Sequence, residues 1–282
     1  MNLKKEINNL LGSSTPLLTR IIVINIIVFL AANIYVTLSP SAYLINYAAL
    51  PANISVFITR PWTLVTYMFL HIGFWHIVFN MLWLYWMGRL FVEYMGEKRL
   101  LYTYIIGGIC GGALFMLIYG LAFPQPGPIV LLGASAGIMA VIVAIAGLLP
   151  DYELYLFLLG PVKLKYIALA AFLLSTVIDF SVNSGGKVSH IGGAVYGLIY
   201  IWQYRKGNDL AEKASRLVTG ITGIFKRSGV KKAKLTSIRG GCSKPDNKQK
   251  RIDDILDKIS RSGYESLTKE EKDFLFKSSK DN

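Results

Sequence analysis

Long runs without a charged residue fill most of the first 204 positions of the chain. They cover Ile21–Thr59, Pro61–Gly88, Leu100–Pro150 and Val188–Tyr204. A helix needs about 20 mainly apolar residues to cross the hydrocarbon of a bilayer, which is about 30 Å thick. Because soluble cores rarely contain such runs in succession, the pattern predicts an integral membrane protein. The first run is expected to be a span rather than a cleaved signal peptide.

Turn residues divide the charge-free runs into six predicted spans, so the expected fold class is an all-α integral membrane bundle. The fifth helix has only Tyr166–Ile178 free of charge before Asp179, yet the orientation derived below requires it. The six predicted helices cover residues 18–38, 66–92, 99–122, 134–149, 165–181 and 188–204.

The distribution of Lys and Arg predicts that both termini are cytoplasmic. Residues 205–282 hold 20 Lys/Arg and 11 Asp/Glu, a net +9 of the chain's +13. Basic residues also precede the first helix and occupy the 2–3 and 4–5 connections, whereas the opposite side carries Arg60 and Lys187. If the basic C-terminal tail lies on the same side of the membrane as the N-terminus, the chain must cross the membrane an even number of times. Since basic residues beside a membrane commonly contact anionic headgroups, this charge does not indicate a nucleic-acid partner.

The fourth predicted helix opens with Gly133-Ala134-Ser135-Ala136-Gly137, which has the form G-x-S-x-G. No strand is predicted before it, although a soluble hydrolase needs one there. The helix is only about 24 Å long at 1.5 Å per residue, so Ser135 is expected below the membrane surface. Unpaired N–H groups at a helix start suit an oxyanion. A helix cap or a close-packing face is the alternative interpretation.

The sixth predicted helix carries His190, Gly193 and Gly197 on one face. Gly-x-x-x-Gly lets two helices approach closely, and the fourth helix offers Ala136 and Ala140 as small partners. Both helices run inwards from the outer surface in the predicted topology, which brings the histidine to the depth of the serine. A packing motif with a hydrogen-bonded histidine at its rim is the alternative.

The second predicted helix carries His71, His76 and Asn80. His76 and Asn80 are four residues apart on one helical face, and both side chains can donate a hydrogen bond. Zinc held by His71, His76 and His190 is one alternative, but a spacing of five residues separates the first two across a helix. No metal is therefore expected. A polar pair that joins two helices is the other interpretation.

In combination, these motifs place a nucleophile, a base and two donors at one depth, and they resemble the rhomboid family of intramembrane serine proteases. The resemblance covers residues 18–204, with the three motifs in the family's order. It implies that Ser135 is the nucleophile and that His190 is its general base. It also implies that His76, Asn80 and the Ser135 N–H bind the oxyanion. The residues expected to pack around the site are Gly133, Gly137, Met139, Gly193 and Gly197.

The activity implied by this resemblance is cleavage of other proteins' transmembrane segments near their outer ends, without a cofactor. The implied partners are those substrates and the lipid bilayer, and the implied location is a bacterial inner membrane. The sequence indicates no particular oligomeric state. Two positions depart from the family pattern. Thr63 follows Trp62 where Arg is common, so that arginine's role is absent or moved to Arg60, and Met139 replaces an aromatic that packs on the base.

The charge pattern predicts four segments: an N-terminus over 1–17, a membrane domain over 18–204, a basic linker over 205–250 and a two-helix cytoplasmic module over 251–282. A short amphipathic stretch is predicted within the linker at residues 210–225. In the module, apolar residues recur at helical spacing until Gly263. Thr268 and Glu271 then form a capping box for the second helix.

Two other functions compete with the protease. A catalytically silent member of the same family would bind membrane clients, but it is expected to lack Ser135 or His190, and both are present. A transporter would show a repeat between halves or a helix broken at the midplane. The glycine-rich run Gly107–Gly112 is the one candidate for such a break, and close helix packing explains it more simply.

Overall fold

The structure of the protein is a computed structural model that describes residues 15–39, 43–122, 129–178, 184–227 and 247–280. The chain divides into two units, residues 1–223 and 224–282. Both are mainly helical, and the first also contains two small antiparallel sheets. The helices and strands up to the boundary between the units, which falls within the last of these helices, are α1 (Leu17–Leu38), α2 (Tyr43–Ala48), β1 (Leu50–Pro51), α3 (Ile54–Thr59), α4 (Thr63–Thr66), α5 (Phe74–Met95), α6 (Glu97–Met116), β2 (Val130–Leu131), α7 (Ser135–Leu148), β3 (Glu153–Leu156), β4 (Gly160–Lys163), α8 (Leu164–Leu173), α9 (Ser184–Arg205) and α10 (Leu210–Arg227).

Two helices of the described residues are long and apolar enough to cross a membrane by themselves. They are α1 and Glu97–Ala122, which is α6 with its π-helical continuation. The bent pair Thr63–Phe69 and Phe74–Met95 is a third candidate. Helices α7 and α8 are apolar but shorter. The helical membrane character is therefore supported, while the complete set of six spans stays a prediction.

The prediction of one continuous helix over 66–92 is wrong. A 3₁₀ turn ends at Phe69, and α5 begins at Phe74 after a bend of 96°. Gly73, at the start of α5, has φ +90°, a conformation that residues with a side chain rarely adopt. The Asn33 amide donates a hydrogen bond of 3.2 Å to the His71 carbonyl within the break. His71 consequently precedes α5 and does not lie on its surface.

The prediction that no strand precedes Ser135 is also wrong. β2 pairs antiparallel with β1, with Leu50 opposite Leu131 and Pro51 opposite Val130. Two-residue strands have no alternating pattern by which a sequence could reveal them. The pairing anchors the segment that leads into α7, directly before the serine motif.

Small residues let α6, α7 and α9 pack with their backbones close together. In α6, the positions of Gly107 and Gly111 face the Cβ atoms of Ala140 and Ala136, respectively. Gly108 faces the Met68 side chain instead. Close packing thus accounts for the glycine-rich run of α6, which removes the feature that favoured a transporter.

Successive contacts between α7 and α9 advance in the same direction along both helices. Gly193 lies against the Ala136 carbonyl and Gly197 against the Ala140 carbonyl. Farther along, the Arg205 guanidinium donates a bond of 2.6 Å to the Gly147 carbonyl. The two helices therefore run parallel, with the serine and histidine motifs at the same end.

A hairpin of β3 and β4 connects α7 to α8. Its base carries Asp151, which pairs with Lys165 at 2.8 Å and with Lys163 at 3.3 Å. These two lysines hold the pKa of the Asp151 carboxyl below its usual value. The all-α expectation did not include this hairpin or the β1–β2 pair. The predicted fifth helix is present as α8 with a π-helical turn to Ile178, and its last residues lie outside the described residues.

Helix α9 begins at Ser184, four residues before the predicted start. The prediction began the helix after Lys187 because that residue is charged, but the helix includes it. After Arg205 the chain turns into α10, which contains the predicted amphipathic stretch. Asp209 at this turn forms an ion pair of 2.5 Å with Arg99. The first part of the predicted linker is thus attached to the first unit. Residues 228–246 lie outside the described residues.

The second unit contains α11 (Asn247–Ser262) and α12 (Lys269–Lys280). The predicted stop at Gly263 is confirmed, since that residue has φ +77° and follows α11 directly. The predicted capping box is confirmed as well. The Thr268 N–H donates to the Glu271 carboxylate at 2.8 Å, and the Glu271 N–H donates to the Thr268 hydroxyl at 3.3 Å. Lys258 contacts the same carboxylate at 2.8 Å and so connects the two helices.

Candidate active site

Ser135 is the first residue of α7. It follows Gly133, whose φ of +119° turns the chain sharply from β2 into the helix. The Gly133 N–H is held by the Tyr67 carbonyl at 2.9 Å. The first N–H groups of a helix have no carbonyl partner within it, and they carry the positive end of the helix dipole. The hydroxyl of Ser135 therefore lies at a site that favours a negative charge.

The imidazole of His190 lies directly beside this hydroxyl. Its Nε2 is 2.7 Å from the Ser135 Oγ, and its Nδ1 is 3.1 Å from the backbone carbonyl oxygen of Ser175. A carbonyl oxygen can only accept, so Nδ1 carries the proton in this arrangement. In the neutral ring Nε2 is then unprotonated and accepts the bond from the serine hydroxyl. This is the tautomer that a general base needs.

The close contact of α7 and α9 brings the two side chains together. Gly193 lies almost one turn after His190, and its Cα has the Ala136 backbone as its neighbour. Ala136 in turn follows Ser135 directly in the chain. Any increase in the spacing of the helices at this contact also separates the hydroxyl from the imidazole.

His76 and Asn80 lie on α5 and face the same region. A Cβ at Gly133 would be 3.0 Å from the His76 Nε2 and 3.9 Å from the Ser135 Oγ, so the absent side chain leaves room for the imidazole. Asn80 is 8% exposed, and its amide donates one bond of 2.8 Å to the His76 carbonyl. The amide has a second N–H for a further acceptor.

His71 contacts His76 despite the spacing of five residues, with ring centroids 5.0 Å apart. The argument that a helix would separate the two rings is wrong, because His71 precedes α5. The Nε2 of His71 accepts a bond of 3.4 Å from the Ala134 N–H, so this buried ring supports the turn before Ser135. Within the described residues, no group of three or more His, Cys, Asp or Glu side chains is arranged to hold a metal ion.

A cavity of about 650 Å³ opens over the serine and the histidine. Its walls come from α5, α7, the end of α8 and the start of α9. Aromatic side chains of α5 form one side, so the cavity combines a largely apolar wall with a few polar groups, as ligand-binding cavities usually do. The lining residues are Trp75, His76, Phe79, Asn80, Trp83, Leu132, Ser135, Ile138, Met139, Ile142, Ala171, Leu174, Ser175, Gly186, Lys187 and His190.

Met139 lies in the wall of this cavity and is 4% exposed. Gly137, by contrast, faces away from the histidine, since its Cα lies against the Tyr104 carbonyl of α6. The two glycines of the serine motif therefore make room for different groups: Gly133 for the His76 imidazole and Gly137 for the α6 backbone.

Arg60 lies next to the position where the family often has arginine. Its guanidinium is 4.7 Å from the centre of the Tyr47 ring and donates a bond of 3.4 Å to the Asn46 carbonyl. The buried Thr63 hydroxyl donates to the Arg60 carbonyl at 2.7 Å. The arginine adjacent in sequence thus connects the start of α4 to α2, and Thr63 holds the backbone beside it.

Sequence reasoning missed two contributors to this site. The Ser175 carbonyl orients the histidine, a contact that the sequence pattern did not predict. Ser175 is a polar residue in a predicted span, which is a signal for function, but the acceptor is its backbone and not its hydroxyl. Lys187 was assigned to a loop and lies in the cavity wall. Asp179 lies outside the described residues.

Comparisons with known proteins agree with the motifs. A family model described as Rhomboid domain matches residues 59–207. A second model, described as a family of unknown function (DUF6576), matches residues 243–281. Over 162 residues the chain is 32% identical to RHOMBOID-like protein 12, mitochondrial, of Arabidopsis thaliana, which covers 52% of this chain and 48% of that protein. The chain spans about half the length of this curated relative. Because the Rhomboid domain match extends over more than half of its residues, the chain belongs to the rhomboid family.

Proposed function

We propose that the chain is an intramembrane serine endopeptidase that cleaves transmembrane segments of other membrane proteins near their outer ends. The single observation that carries the proposal is the 2.7 Å contact between the Ser135 Oγ and the His190 Nε2. A serine hydroxyl is a weak nucleophile at neutral pH unless a base within hydrogen-bond reach accepts its proton. The family relationship supports the same reaction class.

In the proposed reaction, the Ser135 Oγ attacks the peptide carbonyl while its proton moves to His190. The Ser175 carbonyl accepts from Nδ1–H and so stabilises the imidazolium that forms. The negative charge on the former carbonyl oxygen is stabilised by N–H groups at the start of α7 and by His76 and Asn80. His190 then returns the proton to the leaving amine. Water, activated by the same base, hydrolyses the acyl-enzyme.

The proposal is tested by reaction of the detergent-solubilised chain with a serine-directed fluorophosphonate. Wild-type protein is expected to gain one phosphonyl group at Ser135, because only an activated hydroxyl displaces fluoride at a useful rate. Ser135→Ala is expected to show none, as measured by intact mass and peptide mapping. Equal labelling of the two proteins would remove Ser135 as the nucleophile. A wild-type chain that is not labelled would support the catalytically silent alternative.

Asn80→Ala is expected to lower the turnover of a transmembrane substrate by about 10-fold or more while phosphonate labelling at Ser135 persists. Loss of one oxyanion donor typically costs about 10²–10³ in kcat, and the other donors remain here. Leu82→Ala is the matched control, since this residue of α5 is 40% exposed. Unchanged turnover in Asn80→Ala would exclude the amide from the oxyanion site.

We further propose the membrane arrangement in which this reaction occurs. Six spans, formed by α1, α4 with α5, α6, α7, α8 and α9, place the active site near the outer surface and both termini in the cytoplasm of a bacterial cell. The basic residues at the inner ends of these spans support this orientation. The segment 205–250 then joins the membrane domain to a cytoplasmic two-helix module over 251–282.

A further inference from the structure

A lysine lines the cavity beside the proposed catalytic pair. Lys187 is the one charged side chain among the residues that form the cavity wall in the described part of the chain. It lies three residues before His190 in α9, so both side chains project from the same face of that helix. A cation in this position is three residues from the proposed general base and lies in the wall of the cavity that a peptide substrate would enter.

Among the residues that the structure describes, no carboxylate forms an ion pair with this ammonium group. The side chain is half-buried, and most of the other residues that line the cavity are apolar or aromatic. A partly desolvated cation gains more from an opposite charge than one in open water, because the surrounding medium screens the attraction less.

An entering peptide is the natural source of that opposite charge. Polar lining groups at the centre of the cavity, such as Ser135 and Asn80, are assigned to the reaction itself. Lys187 is not needed for any step of it. Its role is then to select the substrate, in the way that one charged group in a protease pocket favours a substrate residue of opposite charge.

We infer that Lys187 is a specificity-determining residue that favours substrates with an Asp or Glu side chain near the cleaved bond. The inference rests on the proposed protease function and names the substrate class of the same site. The carboxylate would form a charge-assisted hydrogen bond with the Lys187 Nζ when the peptide lies in the cavity. A substrate with an amide at the same position has the same shape but lacks the charge.

The test uses the full chain in detergent and transmembrane substrates that carry one Asp, or one Asn as its isostere, at successive positions on either side of the cleaved bond. Wild-type protein is expected to cleave the Asp substrate with a kcat/KM about tenfold above that of the Asn substrate at one or two positions. In Lys187→Met the ratio is expected to fall to about one. Lys187→Glu is expected to reverse it and to favour a Lys substrate.

Two controls separate this inference from the function on which it rests. Lys163→Met changes a lysine of the hairpin and is expected to keep the wild-type ratio. Fluorophosphonate labelling of Ser135 is measured in every variant, so a labelled and active wild-type chain with equal rates for Asp and Asn overturns the inference alone. A wild-type chain that is neither labelled nor active overturns the proposed function and the inference together.

A lipid headgroup phosphate is the other possible anion for this lysine. In that case Lys187→Met would change the cleavage of both substrates by the same factor, and the change would depend on added phosphatidylglycerol. This outcome also overturns the inference, because the lysine would then contact the membrane and not the substrate.

Discussion

His190→Ala is expected to reduce the turnover of a transmembrane substrate at least about 10²-fold, within the range of 10²–10⁴ that a general base contributes. The imidazole is the group within 2.7 Å of the Ser135 Oγ, and without it the hydroxyl keeps its proton during attack. The measurement is the single-turnover cleavage rate in detergent. The double variant with Ser135→Ala is expected to be no slower than Ser135→Ala alone, because residues that act as a unit are not additive.

The matched control for this prediction is Ile199→Ala on the same helix. Ile199 is 47% exposed and lies nine residues beyond the histidine, so its truncation is expected to leave the cleavage rate unchanged. If His190→Ala cleaves as fast as wild type, or if its effect multiplies with that of Ser135→Ala, the histidine is not the base.

Gly193→Ala is expected to lower the thermal stability of the membrane domain and to reduce activity with it. A Cβ at this position would collide with the Ala136 carbonyl and lie 2.9 Å from its carbon. These are backbone atoms, so the helices must separate. Overpacking of this kind costs about 1–3 kcal/mol of the free energy of unfolding, which corresponds to a fall of about 3–10 °C in Tm. The separation also lengthens the contact between Ser135 and His190.

Gly220→Ala provides a control with the same chemical change and no collision. Gly220 lies in α10, and no atom would come within 4 Å of a Cβ there. Alanine favours an exposed helix relative to glycine, so Tm and activity are expected to stay at or slightly above the wild-type values. Thermal unfolding followed by circular dichroism measures both variants. Equal Tm values for Gly193→Ala and wild type would show that this contact is not tight.

The pairing of glycine and alanine across α7 and α9 was accessible from the sequence alone. Spacing on a helix fixes which residues share a face, and small residues at Gly193 and Gly197 have few roles other than close approach. The same reasoning located the ends of the tail helices at Gly263 and Thr268. In both cases the signal is local, since it involves residues within two turns of each other.

The errors share a different cause. The break at Gly73 follows a run of apolar residues that continues the helical pattern, so nothing local indicates that the chain turns there. Strands of two residues, such as Leu50–Pro51, exist because a distant segment offers backbone partners. The sequence pattern misses the start of α9 because the charge of Lys187 limits the predicted span, whereas the helix includes this residue.

Hydrophobic runs and helical spacing are properties of neighbouring residues. The membrane character of the chain, the order of its motifs and the residue types that the proposed reaction needs therefore follow from the amino-acid sequence alone. Which of these groups meet depends on the tertiary structure. The Ser175 carbonyl orients His190 from another helix, His71 supports the turn at Ala134, and Lys187 enters the cavity wall. These contacts depend on how far apart and at what angle whole helices pack, and no local pattern encodes that geometry.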